Sequence, residues 1–412
     1  MTSRIPDFRV TLDERDLTAI LRPRLISLNL TECRSDAADQ LDLVLDDTDG
    51  KLAIPSRGAK IHLHIGWRGI GNDIGLVDKG SFTVDEVEHS GAPDTITLRA
   101  RTANLIDTFR QLEEHSFHDT TLGAIIEVIA FRQELKAGIA DALRNVAVRH
   151  IDQTRESDAA FLRRLGKKYD AITTVKNDTL LFVPINQNRN VTGKALPVVQ
   201  ILRSLGDNHR YHSAERDSYS GVRAFWYDQR YARRRSVIVG IAGNSKSLKT
   251  TFANEADART SAIAEWQRIQ RGVSTFELHL ALGDPRLIAH SPIITTGFKS
   301  QIDATEWLIV KIGSSISSSG YTQQIELEMK MAQEEAEREI EKDPDENITG
   351  VKAVWRDKTT NKSGQVQAGS NRHLKSNPRV YASRQSAQRA VNGEWHDIKV
   401  VREIIRENSD NL

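Results

Sequence analysis

The chain has one cysteine, Cys33, in 412 residues. That excludes an internal disulfide framework and fits synthesis in a reducing compartment. Charge of neither sign is in excess: 57 Lys and Arg stand against 56 Asp and Glu, a formal net charge of +1. The molecule as a whole is therefore no polyanion binder, and any basic surface has to be local. No stretch approaches the roughly 18 consecutive apolar residues of a membrane helix. The opening MTSRIPDFRVTLDERD holds no apolar signal segment, so the expectation is a soluble chain made in the cytoplasm. Signatures of chemistry are missing too, with no Walker A loop, no HExxH, no GxSxG and no CxxC.

What is there is a globular composition, 39% apolar and 27% charged, long enough for about two to four domains. The first hundred residues alternate with period two: Ile26, Leu28, Leu30; Leu41, Leu43, Leu45; Ile61, Leu63, Ile65; Ile96, Leu98, Ala100. Separated by DDTDG, PSRG and SGAPD, these stretches read as strands and turns of a barrel or sandwich. The period changes after about residue 105. Leu122, Ile125, Ile126 and Ile129 share one helical face, with Asp119 or Thr120 expected as cap. Phe161, Leu162 and Leu165 repeat the pattern behind a Ser157 cap, and DTLLFVP follows as a buried strand. Residues 106–187 thus read as a small α/β unit. Strand patterning returns in SGVRAFWYD, RSVIVGIAG, STFELHLALG, ATEWLIVKIGS and YTQQIELEMK, with one helix among them, capped by Asn254 and ended near Gly272. Residues 329–349 carry eight acidic and three basic residues and run into Pro344, the composition of a solvated helical linker.

One pattern occurs twice. GVRAFWYD at 221–228 aligns with GVKAVWRD at 350–357, and TFANEADARTSAIAEWQRIQ at 251–270 with VYASRQSAQRAVNGEWHDIK at 380–399. Both matches lie 129 residues apart, so the chain carries a duplicated strand–helix unit over 221–270 and 350–399. Ala258, Ala262, Trp266 and Ile269 answer to Ala387, Val391, Trp395 and Ile398. Trp226, Trp266, Trp355 and Trp395 are accordingly expected in the cores of the two units. Both copies are basic, net +5 and +7, and the first holds RYARRR at 230–235. Arg230, Arg233, Arg234 and Arg235 form a candidate contact loop for an acidic protein surface or for nucleic acid.

Catalytic constellations were sought among the remaining polar residues. His62 and His64 share one face of a strand, a geometry open to zinc but without a third and fourth ligand in the pattern. EEHSFHD gathers Glu113, Glu114, His115, His118 and Asp119, where a helix start already explains them. Neither carries a reaction, so no catalytic residue, metal or cofactor is expected.

RLISLNLTE, SDAADQLDLVLDDTDGKLAIPSRGAKIHLHIGW, GSFTVDEVEHSGAPDTITLRAR, HIDQTRESDAAFLRRLGKKYDAITTVKNDTLLF, EADARTSAIAEWQRIQRGVSTFELHLALGDP and GFKSQIDATEWLIVKIGSSISSSGYTQQIELEM resemble the late-control gene D proteins of contractile-tailed phages. The resemblance spans nearly all of residues 5–330. It implies a homotrimeric baseplate hub, of a contractile phage tail or a related injection particle, in which two related β-barrel modules per chain make a pseudo-sixfold ring. The ring would join the sixfold tail tube to a trimeric spike, with tube-initiator, wedge and tape-measure proteins as further partners. The organisation expected is a mixed β and α+β chain: a first barrel module over 1–105, the α/β unit over 106–187, a second barrel module over 188–330 containing the 221–272 unit, the acidic linker over 331–349 and the second copy over 350–412. Such a protein is assembled in the host cytoplasm and resides in the virion tail baseplate. Two other readings stay open: a DNA-binding late regulator, suggested by the family name, and a hub carrying a cell-wall hydrolase.

Overall fold

The computed structural model describes residues 4–34, 38–69, 75–102, 111–176, 178–187, 189, 193–214, 219–229, 233–241, 244–331, 348–357 and 362–409. The period-two stretches are strands, since alternate residues of an extended chain point to one face. β1 (Ile5–Leu12), β2 (Arg15–Asp16), β3 (Leu25–Cys33), β4 (Gln40–Asp46), β5 (Lys60–Arg68), β6 (Leu76–Ser90) and β7 (Thr95–Thr102) come first, with a single turn, α1 (Thr18–Leu21), between β2 and β3. The alternating residues of β4, β5 and β7 bury themselves in one core with Phe8, Val10, Phe82 and Val84. Ile26 departs from the expected alternation: it is 46% exposed while Leu28 and Leu30 are buried. The β3–β4 register skips a residue between Leu25 and Ser27, and the extra residue of such a bulge turns to the opposite face.

β8 (Leu112–Thr121) pairs antiparallel with β10 (Ala147–Ser157). β9 (Lys136–Ile139), β11 (Ala171–Lys176) and β12 (Thr179–Pro184) form a second small sheet with β12 central. Helices α2 (Leu122–Arg132), α3 (Asp141–Arg144) and α4 (Asp158–Tyr169) close over these strands, burying Ile125, Ile126, Ile129, Phe161 and Leu165 in one core. Ser157 caps α4 as expected, accepting from the Ala160 N–H. The cap of α2 is Thr121, whose Oγ1 accepts from the Ala124 N–H at 3.2 Å, rather than Asp119 or Thr120. β8 continues through both of those residues, and Thr121 is the last extended residue before the first helical turn.

β13 (Val199–Leu202), β14 (Gly206–Ser213), β18 (Ser274–Leu280), β19 (Pro292–Thr296), β20 (Trp307–Ser317) and β21 (Gly320–Met329), with the short α6 (Ser300–Asp303), enclose a separate core of Phe276, Leu278, Trp307, Ile309, Ile312 and Ile325. β20 pairs with β21 on one side and β3 on the other. The early and late strands therefore join in one 13-stranded sheet, ordered β14-β18-β21-β20-β3-β4-β7-β6-β5-β1-β2 with β19 and β13 branching at β20. Ile316 and Tyr321, at the far ends of β20 and β21, pack into the first core, so the halves share strands while each keeps its own apolar interior.

The duplicated stretches have one topology. β15 (Gly221–Asp228), β16 (Arg233–Gly240), β17 (Ser245–Phe252) and α5 (Glu255–Arg271) are matched by β22 (Gly350–Arg356), β23 (Ser363–Gly369), β24 (Leu374–Tyr381) and α7 (Arg384–Ser409). In each, the first strand is central, antiparallel to the second and parallel to the third. Even the irregularities recur: a register shift between Arg223 and Phe225 returns between Lys352 and Val354. Asn254 caps α5, its side chain accepting from the Asp257 N–H at 2.9 Å. α5 stops at Gly272, whereas the matching position is Val401 and α7 runs on to Ser409. Of the acidic linker expected over 331–349, residues 332–347 lie outside the described residues, while Ile348 packs into the core of the second copy.

Candidate functional site

The groups singled out for chemistry lie on two separate strand pairs, β5–β6 and β8–β10. His62 and His64 stand on the outer face of β5, with Ile61, Leu63 and Ile65 turned inward. The fold adds Asp78, which is opposite His64 on β6, with its Oδ1 3.0 Å from His62 Nε2. Residues 113–119 form most of β8, where His118 stacks on His150 and Ser116 donates to Asp152 at 2.7 Å. The fully buried Asp158 is held by Arg132, Gln133 and Gln153 at 2.9, 2.8 and 2.8 Å. With both carboxylate oxygens taken by three side chains, it ties α2, β10 and α4 together and serves the fold.

The basic loop is partly committed. Arg230 lies outside the described residues, and Arg233 opens β16 opposite Asp228. The Arg234 guanidinium lies 3.8 Å from the centroid of the Phe225 ring. Arg235 pairs through Nε with the buried Asp228 at 2.8 Å and covers Trp226. Trp266 is buried in the first unit's core, while Trp226, Trp355 and Trp395 are partly buried against their own units. A polar frame is copied with the topology. Lys246–Glu265 at 2.6 Å answers to Lys375–Glu394 at 3.5 Å. Ser220 Oγ donates to Ile241 O just as Thr349 Oγ1 donates to Ser370 O. Gly240 and Gly369 take φ of +81° and +90°, each with a helix tryptophan over the place of a Cβ.

What differs between the copies is the outer face of the helix. α5 packs on α4 through Lys168–Asp257 at 2.7 Å and an Arg268 bond to Lys167 O at 3.0 Å. At its end, Arg271 is buried between both oxygens of Asp170 at 2.5 Å and Glu328 at 3.0 Å. Glu328 also pairs with Arg34. Four segments distant in sequence thus meet at one buried ionic chain. The positions matching Asp257, Arg268 and Arg271 in the second copy are Ser386, Asp397 and Val400, so none of the three anchors is repeated.

Beside that chain stands His290, 6% exposed at φ +80°, with no hydrogen-bond partner at either ring nitrogen. Burial and the charges of Arg34 and Arg271 push its pKa down to about 3. It borders a cavity of about 300 Å³ between the first core, the α/β unit and the second core. A second buried pair, Lys79–Glu32 at 2.9 Å, lines the same cavity, and Lys79 also donates to Leu287 O. Sequence reasoning missed Arg271, Asp170 and His290, because nothing in their local pattern marks a contact made over a hundred residues away.

Residues 40–320 match the phage tail baseplate hub (GPD) family. The chain is 38% identical over 372 residues to the probable baseplate hub protein of Escherichia phage 186, covering 80% of this chain and 95% of that one. It is likewise 38% identical over 374 residues to the probable baseplate hub protein of Escherichia phage P2, covering 81% and 96%. Among solved structures, its fold is similar to the 43 kDa tail protein of prophage MuSo2 from Shewanella oneidensis, with TM-score 0.58 at 14% identity over 78% of this chain and 98% of that one. The chain belongs to the phage tail baseplate hub family and is a structural protein of the tail baseplate. The family match ends at residue 320, short of the second copy at 350–399.

Proposed function

We propose that three copies of this chain form the hub ring that joins the sixfold tail tube to a threefold spike, without catalysis of its own. The observation that carries this reading is the double construction of the large sheet, two apolar cores joined edge to edge through β20 and β3. Two similar β modules per chain, over 1–105 and 188–330, place six in a closed trimer, and closure leaves the lower face threefold. The α/β unit over 106–187 braces them through Arg271, Asp170 and Glu328. Tube-initiator, wedge and tape-measure proteins are the further neighbours of such a ring, and each contact gains from its valency.

The C-terminal copy acts in this reading as a separate docking module for the spike or the tape-measure end. It keeps the inward residues of the first unit and lacks Asp257, Arg268 and Arg271, the groups with which that unit grips α4. Its Glu394 pairs with Lys375 and accepts from Asn377 at 3.0 Å, which gives that carboxylate a structural task and disfavours a hydrolase there. Co-expression with the trimeric spike of the same tail, followed by light scattering after size exclusion, tests the hub reading. A particle with three copies of each chain is expected; a monomer or dimer indifferent to the spike overturns it. Salt-dependent binding to duplex DNA would then favour the regulator reading.

A further inference from the structure

We propose that His62, His64 and Asp78 bind a divalent transition-metal ion on the outer face of the β5–β6 hairpin. The side chains come from adjacent strands, and one ligand atom from each lies within 4.8 Å of the others. Modest rotation of His62 and Asp78, 35% and 52% exposed, brings them to the ~2.0–2.2 Å bonds of zinc to imidazole nitrogen and carboxylate oxygen.

Three observations favour a built site over a chance cluster. The β5–β6 register shifts between Leu63 and His64, so that His64 faces Asp78 and Leu63 faces Gly80, with Lys79 as the extra residue. Lys79 turns inward to the buried pair with Glu32, Gly80 takes φ +91°, and the Gly80 N–H donates to Asp78 Oδ1 at 2.7 Å. The bulge therefore sends the carboxylate outward, beside the two rings. Next, His62 Nδ1 lies 2.9 Å from Ser81 Oγ. Ser81 Oγ can accept from that nitrogen once a metal takes Nε2 in place of its contact with Asp78, the outer-shell arrangement of metal-binding histidines. Finally, His64 Nδ1 is buried with no hydrogen-bond partner, a ligand atom still unspent. Two imidazoles and a carboxylate suit Zn²⁺, Co²⁺, Ni²⁺ or Fe²⁺ rather than Ca²⁺ or Mg²⁺, with water completing the shell on the solvent side. Arg9, opposite His64 on β1, is the one cation among the strand neighbours and tempers the affinity.

The test is titration of the full-length chain, freed of metal, with Co²⁺ followed by its visible bands, and with Zn²⁺ by equilibrium dialysis. One equivalent per chain is expected, lost in His64→Ala and in Asp78→Asn and weakened about tenfold in Ser81→Ala. Each variant is checked for an unchanged melting curve; should His64→Ala melt early, Asp78→Asn and Ser81→Ala carry the test. Substoichiometric binding overturns the site. So does binding that survives both ligand substitutions, or that is lost in His118→Ala on the β8–β10 strand pair.

Discussion

Arg271 joins three segments of the fold through one buried side chain. It is 2% exposed and paired with Asp170 and Glu328, 6% and 15% exposed. Removing it leaves two carboxylates in a low-dielectric junction, of which Glu328 keeps its pair with Arg34. Arg271→Met is expected to cost about 3–5 kcal/mol in urea unfolding, the range for breaking a buried ion pair from one side. His290 sets the pH response of the same junction. Its pKa is about 3 when folded against an ordinary 6.5, so between those values the unfolded chain binds the extra proton. Stability is then fully present above pH 6.5 and falls as pH drops, by roughly 1 kcal/mol per unit. His290→Asn, whose side chain tolerates positive φ, is expected to flatten that slope in unfolding measured between pH 6 and 4.

At the scale of elements, the duplicated unit owes its recurrence to a few geometric necessities. A glycine with positive φ closes the second strand, a tryptophan from the helix covers it, and an ion pair ties helix to third strand. A Cβ on Gly369 would meet Thr349 O at 2.4 Å and Trp395 at 2.8 Å. Gly369→Ala is therefore expected to destabilise the second copy by about 1–3 kcal/mol, seen as faster amide exchange in β22–β24 with β1–β7 unaffected. Trp266→Ala should cost about 3–5 kcal/mol by opening the core beneath α5. Because α5 also grips α4, that loss is expected to spread into the exchange rates of the α/β unit.

For the whole molecule, the second copy is separable on physical grounds. Its core of Ile348, Val351, Ala353, Val366, Ala387, Val391 and Ile398 is its own, and the family match ends before it, at residue 320. A chain ending before residue 348 is expected to keep the melting temperature of the main body and to form the complex with the spike. Loss of infectivity or particle assembly without loss of that complex would assign the copy its docking role; unchanged assembly and infectivity would remove it.

Alternation and helical period in the sequence marked many of the strands and the principal helices, because burial of one face is a local demand on consecutive residues. The 129-residue repeat was legible for the same reason: Gly221, Trp266 and Ala258 answer to necessities within the unit and recur with it. Where a backbone irregularity intervened, as at Ile26 in β3 or at Thr121 before α2, the pattern misplaced a residue. Tertiary structure alone decided that β20 joins β3, that Arg271 reaches Asp170 and Glu328, and that Asp78 stands beside His62 and His64. Those contacts link segments that share no periodicity, and an ion pair or a strand edge leaves no mark on the residues around it until the chain has folded.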